Sequence, residues 1–134
     1  MPSVPLPPEL EELLARPNPA VVATVRADGT PHTAATWYDW EDGRVLLNMD
    51  ESRARLRHMR ANPSVALTVF DGADWYAHVT LLGRIVSIEP DGDLRDIDRL
   101  ATRYGDGPFG TRDKARVSAW MQPEQWSSWP LPTR

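Results

Sequence analysis

The sequence predicts a mainly β domain of the α+β kind, with about six antiparallel strands and three helices in one unit that spans residues 1–134. Three Asp-Gly pairs separate short apolar runs, and such pairs favour the tight turns of β-hairpins. Leucine and isoleucine recur at helical spacing in two other stretches. A chain of this length holds one hydrophobic core but not two. Strands joined by hairpins in this number commonly close into a small barrel, which removes exposed sheet edges.

A short helix opens the chain, because two prolines and two glutamates precede a leucine stripe. The stripe consists of Leu10, Leu13 and Leu14, and a proline-rich segment ends it at residues 16–19. The pattern then changes to β-branched and apolar runs. Three strands are predicted here, at Ala20 to Arg26, Pro31 to Trp40 and Arg44 to Met49.

An arginine-rich helix follows, with Ser52 as its N-cap and Arg60 in its last turn, and Asn62-Pro63 ends it. Two further strands are predicted at Ser64 to Phe70 and Trp75 to Ile88, and Gly83 in the second one indicates a bulge or a close backbone approach. The remaining predicted elements are an amphipathic helix over 94–104, a last strand over 112–121 and a short terminal helix or coil over 122–129.

Composition excludes several classes of protein. The chain has no cysteine, so disulfides, thiolate metal sites and cysteine nucleophiles are ruled out. A net charge of −4 disfavours general nucleic-acid binding, which needs a broad basic face. The sequence has neither a signal-peptide pattern nor a long apolar run, and we expect a cytoplasmic protein. His32, His58 and His78 have no paired spacing, so no metal site is predicted.

The arginine-rich helix is the most informative stretch of the chain. It places four arginines, at positions 53, 55, 57 and 60, in a protein of negative net charge. The free amides and the positive dipole end of its first turn point to the same place as the nearest arginines, so a phosphate group fits there. Leu56 and Met59 lie on another face and are expected to pack inward. The alternative is a solvated surface helix.

Aromatic residues accumulate on the strands near this helix. Trp37, Tyr38 and Trp40 lie on one strand, while Trp75 and Tyr76 open the long fifth strand, and either core filling or a flat ligand-binding surface explains them. Both faces of the fifth strand are mostly apolar. A domain this small does not cover both faces by itself, so we expect a homodimer with this strand at the interface.

The order and spacing of these segments resemble the split β-barrel flavin-binding family of the pyridoxamine 5′-phosphate oxidase type. More narrowly, the chain is similar to an actinobacterial branch of oxidoreductases that use the deazaflavin coenzyme F420. The resemblance runs from about Ala20 to Val86. The segments that carry it are Val21–His32, Trp37-Tyr38, Val45–Met49 and Ser52–Val65.

The resemblance implies a six-stranded split β-barrel and a cofactor that lies at the subunit interface of a homodimer. Family members grip the cofactor phosphate at the helix start through an arginine and then a lysine, and the matching positions are Arg53 and Arg55. Arginine in place of lysine keeps the charge but presents a planar fork. The cofactor-binding residues that we expect from the resemblance and from the helix are Trp37, Asn48, Met49, Ser52, Arg53, Arg55, Arg60 and Trp75.

The resemblance also implies the chemistry, which is hydride transfer from bound reduced F420 to a small unsaturated or oxidised organic substrate. FMN is the alternative cofactor, and a non-catalytic carrier of flavin, deazaflavin or haem, or an interaction module with an empty barrel, are alternative functions. The tail over 127–134 has one arginine, which argues against a pyridoxamine phosphate oxidase. Exposed arginines at positions 57 and 60 suit the polyanionic tail of F420. No catalytic residue is identified, although Tyr38 and His78 are candidate proton donors.

Overall fold

The computed structural model describes residues 1–130, in which seven antiparallel strands form one sheet flanked by three helices. The sheet order is β2-β1-β5-β6-β7-β4-β3. The helices are α1 (Pro8–Ala15), α2 (Ala54–Ala61) and α3 (Arg95–Arg103), and the strands are β1 (Ala20–Val25), β2 (Pro31–Thr36), β3 (Asp39–Glu41), β4 (Arg44–Asp50), β5 (Ser64–Asp71), β6 (Asp74–Pro90) and β7 (Arg116–Trp129).

The prediction of six strands in a closed barrel is wrong, because the predicted strand Pro31 to Trp40 divides in two. Its first part pairs with β1 and its second part pairs with β4, at the opposite edge of the sheet. The break falls at Tyr38, whose side chain is fully buried and whose hydroxyl lies 2.8 Å from the carbonyl oxygen of Leu14. Within residues 1–130 no ladder joins β2 to β3, so the sheet stays open although only two residues connect its edge strands.

The C-terminal prediction also needs correction, since residues 122–129 are neither helix nor coil. They continue β7, which starts at Arg116 rather than at Arg112 and pairs with β4 on one side and β6 on the other. Pairing with the 17-residue β6 outweighs the weak preference of residues 122–129 for helix or coil. The close approach predicted at Gly83 is confirmed, because an added Cβ would overlap the carbonyl oxygen of Gln122. Part of the predicted tail, residues 131–134, lies outside the described residues.

The main core contains the three leucines of α1, which are buried as predicted. Leu56 and Met59 of α2 are buried, which confirms the inward face of that helix. A second, smaller cluster forms where α3 packs Ile97 and Leu100 against Leu46 of β4. Within residues 1–130, none of the helices is long and apolar enough to cross a membrane.

Candidate functional site

A cleft of about 560 Å³ opens between α3, the end of β2 and the start of β7. One wall is aromatic and apolar, and two arginines also line the cleft. The residues on which its chemistry depends are Trp37, Asn48, Arg55, Leu100, Tyr104, Phe109 and Arg116. This combination of a flat apolar wall with two cations suits a ligand that carries both a planar ring and an anionic group.

Three aromatic rings form the wall of the cleft. Trp37 stacks on Tyr104 with centroids 5.3 Å apart and planes at 13°. Phe109 meets Trp37 edge to face, at 6.1 Å and 86°. The Tyr104 hydroxyl donates a hydrogen bond of 2.7 Å to the carbonyl oxygen of Asn18, which fixes the ring. The wall is therefore rigid, and its aromatic surface is already arranged for a planar partner.

Of the two arginines that line the cleft, Arg55 has the more unusual surroundings. Its side chain is half-buried, yet within residues 1–130 it forms neither a hydrogen bond nor an ion pair. Burial lowers the pKa of Arg55, and the positive charges of Arg53 and Arg116 lower it further, while Asp50 opposes them. A guanidinium stays protonated at neutral pH despite such shifts. The result is a partly desolvated cation at the cleft that has no acceptor in the described part of the chain, a setting that favours a bound anion.

Arg116 is the second cation of the cleft, and a polar network holds it in place. Its Nε donates to Oδ1 of Asn48 at 2.8 Å, and its guanidinium carbon lies 4.7 Å from the centroid of the Phe109 ring. The Asn48 amide nitrogen in turn donates to Asp91 at 3.0 Å and to Ser118 at 3.1 Å. All of the amide's donors are used by the protein, so Asn48 orients Arg116 rather than offering a donor to a ligand.

Three of the eight predicted site residues line this cleft, namely Trp37, Asn48 and Arg55. Met49 points to the main core and is only 1% exposed, because successive residues of β4 face opposite sides of the sheet. Asn48 and Met49, which are neighbours in the sequence, therefore have different surroundings.

The predicted N-cap is wrong. Helix α2 begins at Ala54 with Arg53 in the cap position and no side-chain cap. Ser52 instead donates its hydroxyl and its backbone N–H to the carboxylate of Asp50. Arg53 also turns to this carboxylate, with 3.2 Å between its Nε and Oδ2 of Asp50. Ser52 and Arg53 were expected to bind a ligand, but their hydrogen bonds and positive charge are directed to the buried carboxylate of Asp50.

The other predicted residues lie elsewhere. Arg60 is exposed in the last turn of α2, and Trp75 is 65% exposed at the start of β6, stacked on Tyr76 at 4.2 Å. Of the candidate proton donors, Tyr38 is sealed in the core, and burial raises its pKa far above the ordinary value. His78 lies on β6 with its Nδ1 2.8 Å from the carbonyl oxygen of Tyr76. Neither residue lines the cleft.

Sequence reasoning missed Tyr104, Phe109 and Arg116. Tyr104 had a usable signal, since it ends the apolar stripe of α3. Arg116 reaches the cleft because the register pairs it with Asp50 across β4 and β7, and this pairing joins segments 66 residues apart. Phe109 stands alone in a loop, so no periodicity indicates where its ring packs.

Comparisons with protein-family models and with solved structures place this chain among proteins of one family. The family model of pyridoxamine 5′-phosphate oxidase matches residues 6–130. An F420 reductase structure is 33% identical and has a TM-score of 0.84, covering 91% of this chain and 98% of that one.

Two more distant structures share the fold. General stress protein 26 of Bacillus anthracis is 19% identical, with a TM-score of 0.68 and coverage of 90% of each chain. HupZ of Group A Streptococcus is 16% identical, with a TM-score of 0.68 and coverage of 93% of this chain and 94% of that one. A comparison with curated proteins found no significant match.

Proposed function

Because this chain belongs to the pyridoxamine 5′-phosphate oxidase family, we propose that it is an F420-dependent oxidoreductase that acts on a small unsaturated or oxidised organic substrate. The observation that carries the proposal is Arg55, a half-buried cation that has no acceptor within residues 1–130 and that faces a cleft walled by aromatic rings. The similarity to an F420 reductase over nearly the whole chain supports the choice of cofactor.

The residues of the cleft fit such a cofactor. Arg55 and Arg116 would hold its phosphate by charge-assisted hydrogen bonds, and Asn48 keeps Arg116 in place. Trp37, Tyr104 and Phe109 offer the apolar surface against which a planar ring packs. Reduced F420 supplies a hydride when it is bound. The chain itself contributes binding, orientation and the exclusion of water from the aromatic wall.

The proton that accompanies the hydride is proposed to come from water. Two hydroxyl groups line the cleft, on Thr36 and Tyr104, and both donate to backbone carbonyl oxygens. Asn48 has no free donor, and the two arginines do not lose protons at neutral pH. Within the described part of the chain, the cleft therefore has no side chain suited to general acid catalysis.

FMN is the second candidate cofactor, because it also combines a planar ring with a phosphate. The position of the cation-rich helix favours F420. Arg57 and Arg60 are exposed on α2, the helix that carries Arg55, and further carboxylates of the F420 tail would meet them. A carrier that binds either molecule without turnover is the non-catalytic alternative.

A second copy of this chain is the proposed partner. Four large apolar side chains are exposed on β6 and β7, namely Trp75, Tyr76, Val86 and Trp129. Apolar exposure of this kind marks an interaction surface. Light scattering at micromolar concentration should give twice the chain mass of 15.1 kDa. A mass equal to one chain would remove the dimer.

Separate titrations with F420 and FMN test the cofactor, with fluorescence of each compound as the signal. We expect F420 to bind more tightly. Single-turnover absorbance of bound reduced F420, mixed with candidate enone, imine or quinone acceptors, then tests catalysis. Tighter binding of FMN would overturn the cofactor assignment, and binding without oxidation by any acceptor would favour the carrier.

A further inference from the structure

Residues 104–115 connect α3 to β7 without a helix or strand, and this connection frames the cleft. Tyr104 at its start, Phe109 in its middle and Arg116 just after its end all line the same cavity. Connections of this length inside a small domain are uncommon and are frequently functional. Phe109 is partly buried and packs on the cluster formed by Leu46, Ile97 and Leu100, while most of its neighbours in the loop are exposed.

One ion pair fixes the backbone of the loop on both sides of the Phe109 ring. The carboxylate of Asp98, on α3, accepts the backbone N–H of Phe109 at 2.9 Å. Arg112 donates to both oxygens of that carboxylate, at 2.8 and 3.2 Å, and to the carbonyl oxygen of Phe109 at 3.1 Å. Both polar groups of the Phe109 backbone are therefore tied to one aspartate and one arginine.

We propose that Asp98 and Arg112 are positioning residues, which hold the Phe109 ring edge-on to Trp37 and thereby set which planar ring the cleft accepts. Neither side chain lines the cleft, so both act through Phe109. The inference rests on the proposed function, since it takes the ligand to be a flavin-type ring with a phosphate.

The solvent exposure of Arg112 and Asp98 distinguishes a positioning role from a general contribution to the stability of the fold. The side chains of Arg112 and Asp98 are 48% and 30% exposed, and ion pairs so accessible to water contribute little to folding. The hydrogen bonds from Arg112 and from the Phe109 amide hold the pKa of Asp98 below its usual range. The pair is therefore intact at neutral and mildly acidic pH, where ligand binding is measured.

The test compares Arg112→Ala with Arg95→Ala, which removes the same charge from an exposed position near the start of α3. Dissociation constants for F420 and for FMN are measured with each variant. Arg112→Ala should weaken the preferred ligand by roughly two- to tenfold, because the loop must then be ordered on binding. The ratio of the two dissociation constants should move toward one. Arg95→Ala should change neither value, and both variants should keep the parent melting temperature.

A double-mutant cycle shows whether Arg112 acts through Phe109. Phe109→Ala alone should weaken binding, and adding Arg112→Ala to it should cause little further loss. Arg112→Lys, which keeps the charge without the planar fork, should restore only part of the affinity. Additive losses in the cycle, or unchanged affinity and selectivity in Arg112→Ala, would overturn the inference.

Hydrogen exchange at the Phe109 amide tests the positioning role without a ligand, so it can fail or succeed independently of the proposed function. If the parent binds FMN in preference to F420, the F420 assignment fails but the cycle proceeds with FMN. If the parent binds neither compound, the proposed function fails, and the amide still reports on the loop. Faster exchange at Phe109 in Arg112→Ala than in Arg95→Ala supports positioning, whereas equal exchange contradicts it.

Discussion

Two arginines on helices beside the same sheet have opposite surroundings. Arg103, in the last turn of α3, has a side chain that is 15% exposed and completely engaged. It donates to the carbonyl oxygens of Leu14, Ala15, Arg16 and Tyr38 at 2.8 to 2.9 Å. It also pairs with Asp39 at 3.2 Å and lies over the Tyr38 ring at 5.1 Å.

Arg55, on α2, is also partly buried but within residues 1–130 has none of these partners. The first turn of its helix contains no acidic residue, whereas that of α3 contains Asp96 and Asp98. A partly buried arginine with every donor satisfied joins elements of the fold. A partly buried arginine that lacks acceptors is instead available to bind an anionic ligand. Its desolvation costs free energy, and binding of the ligand offsets that cost.

The largest expected effect is on folding. Arg103→Ala should lower the free energy of unfolding by about 3 to 5 kcal/mol, because four hydrogen bonds to backbone carbonyl oxygens and one ion pair are lost together, at roughly 1 kcal/mol each. The Asp39 carboxylate keeps its ion pair with Arg99, so no buried charge is left unpaired. Urea denaturation of parent and variant measures the loss. Arg103→Lys is the matched control and should fall between them, since lysine keeps the charge but not the fork. A loss below about 1 kcal/mol would mean that water replaces these bonds at little cost.

The next effect is on binding. Arg55→Ala should weaken F420 by roughly tenfold to over a hundredfold, the range for a lost charge-assisted contact of about 1.5 to 3 kcal/mol. Its melting temperature should equal or exceed that of the parent, because an unpaired cation is removed. Arg57→Ala is the comparison variant and should weaken F420 less, since that exposed guanidinium does not line the cleft and, within the described residues, donates only to the Ser52 carbonyl oxygen, at 3.3 Å. Unchanged affinity in Arg55→Ala would leave α2 as a solvated surface helix.

Local patterns predicted most helices and strands, because their signals lie within a few residues. The leucine stripe of α1 and the Asp-Gly turns are of this kind, and so is the buried face of α2. The break at Tyr38 depended on carbonyl acceptors in the last turn of α1 and just after it, and the extension of β7 depended on its partner β6. Neither has a local signal, so both predictions failed.

The site was predictable only on the side of α2. The density of arginines identified the cationic helix. The structure then distinguished these arginines by their partners, because Arg53 pairs with Asp50 whereas Arg55 has no ion pair among residues 1–130. The second cation and two of the three aromatic rings come from residues 104–116, which reach the cleft through long-range pairing and loop packing. Apart from Tyr104, which ends the apolar stripe of α3, residue type and spacing carry no information about such contacts.

A smaller effect is expected at Ser52, and it depends on pH. Hydrogen bonds from Ser52, and to a lesser extent the charge of Arg53, lower the pKa of Asp50. Stabilisation by a carboxylate with a depressed pKa is present above its unfolded value, near 3.9, and is lost as the pH falls through the folded value. Ser52→Ala should therefore cost about 1 kcal/mol at pH 7 and almost nothing once the pH falls below the pKa of Asp50 in the folded protein.

Urea denaturation of parent and Ser52→Ala at a series of pH values measures this difference. Ser64→Ala is a suitable control, because Ser64 is exposed at the start of β5 and its side chain has no hydrogen bond within the described residues. A Ser52→Ala cost that is the same at pH 7 and in acid would show that the serine stabilises the turn and not the charge of Asp50.

The smallest expected effect tests directly whether Arg53 and Arg55 have different roles, with Arg53 paired to Asp50 and Arg55 available to a ligand. Arg53→Ala removes a 61% exposed side chain whose charge already faces Asp50, and such ion pairs contribute little. It also removes a positive neighbour that lowers the pKa of Arg55, while Asp50 becomes a stronger competitor for Arg55. We expect a change in the F420 dissociation constant of less than about threefold, which is below 1 kcal/mol. Fluorescence titration beside Arg55→Ala measures it. Equal losses in the two variants would mean that Arg53 leaves Asp50 when the phosphate binds, so that its ion pair belongs only to the ligand-free protein.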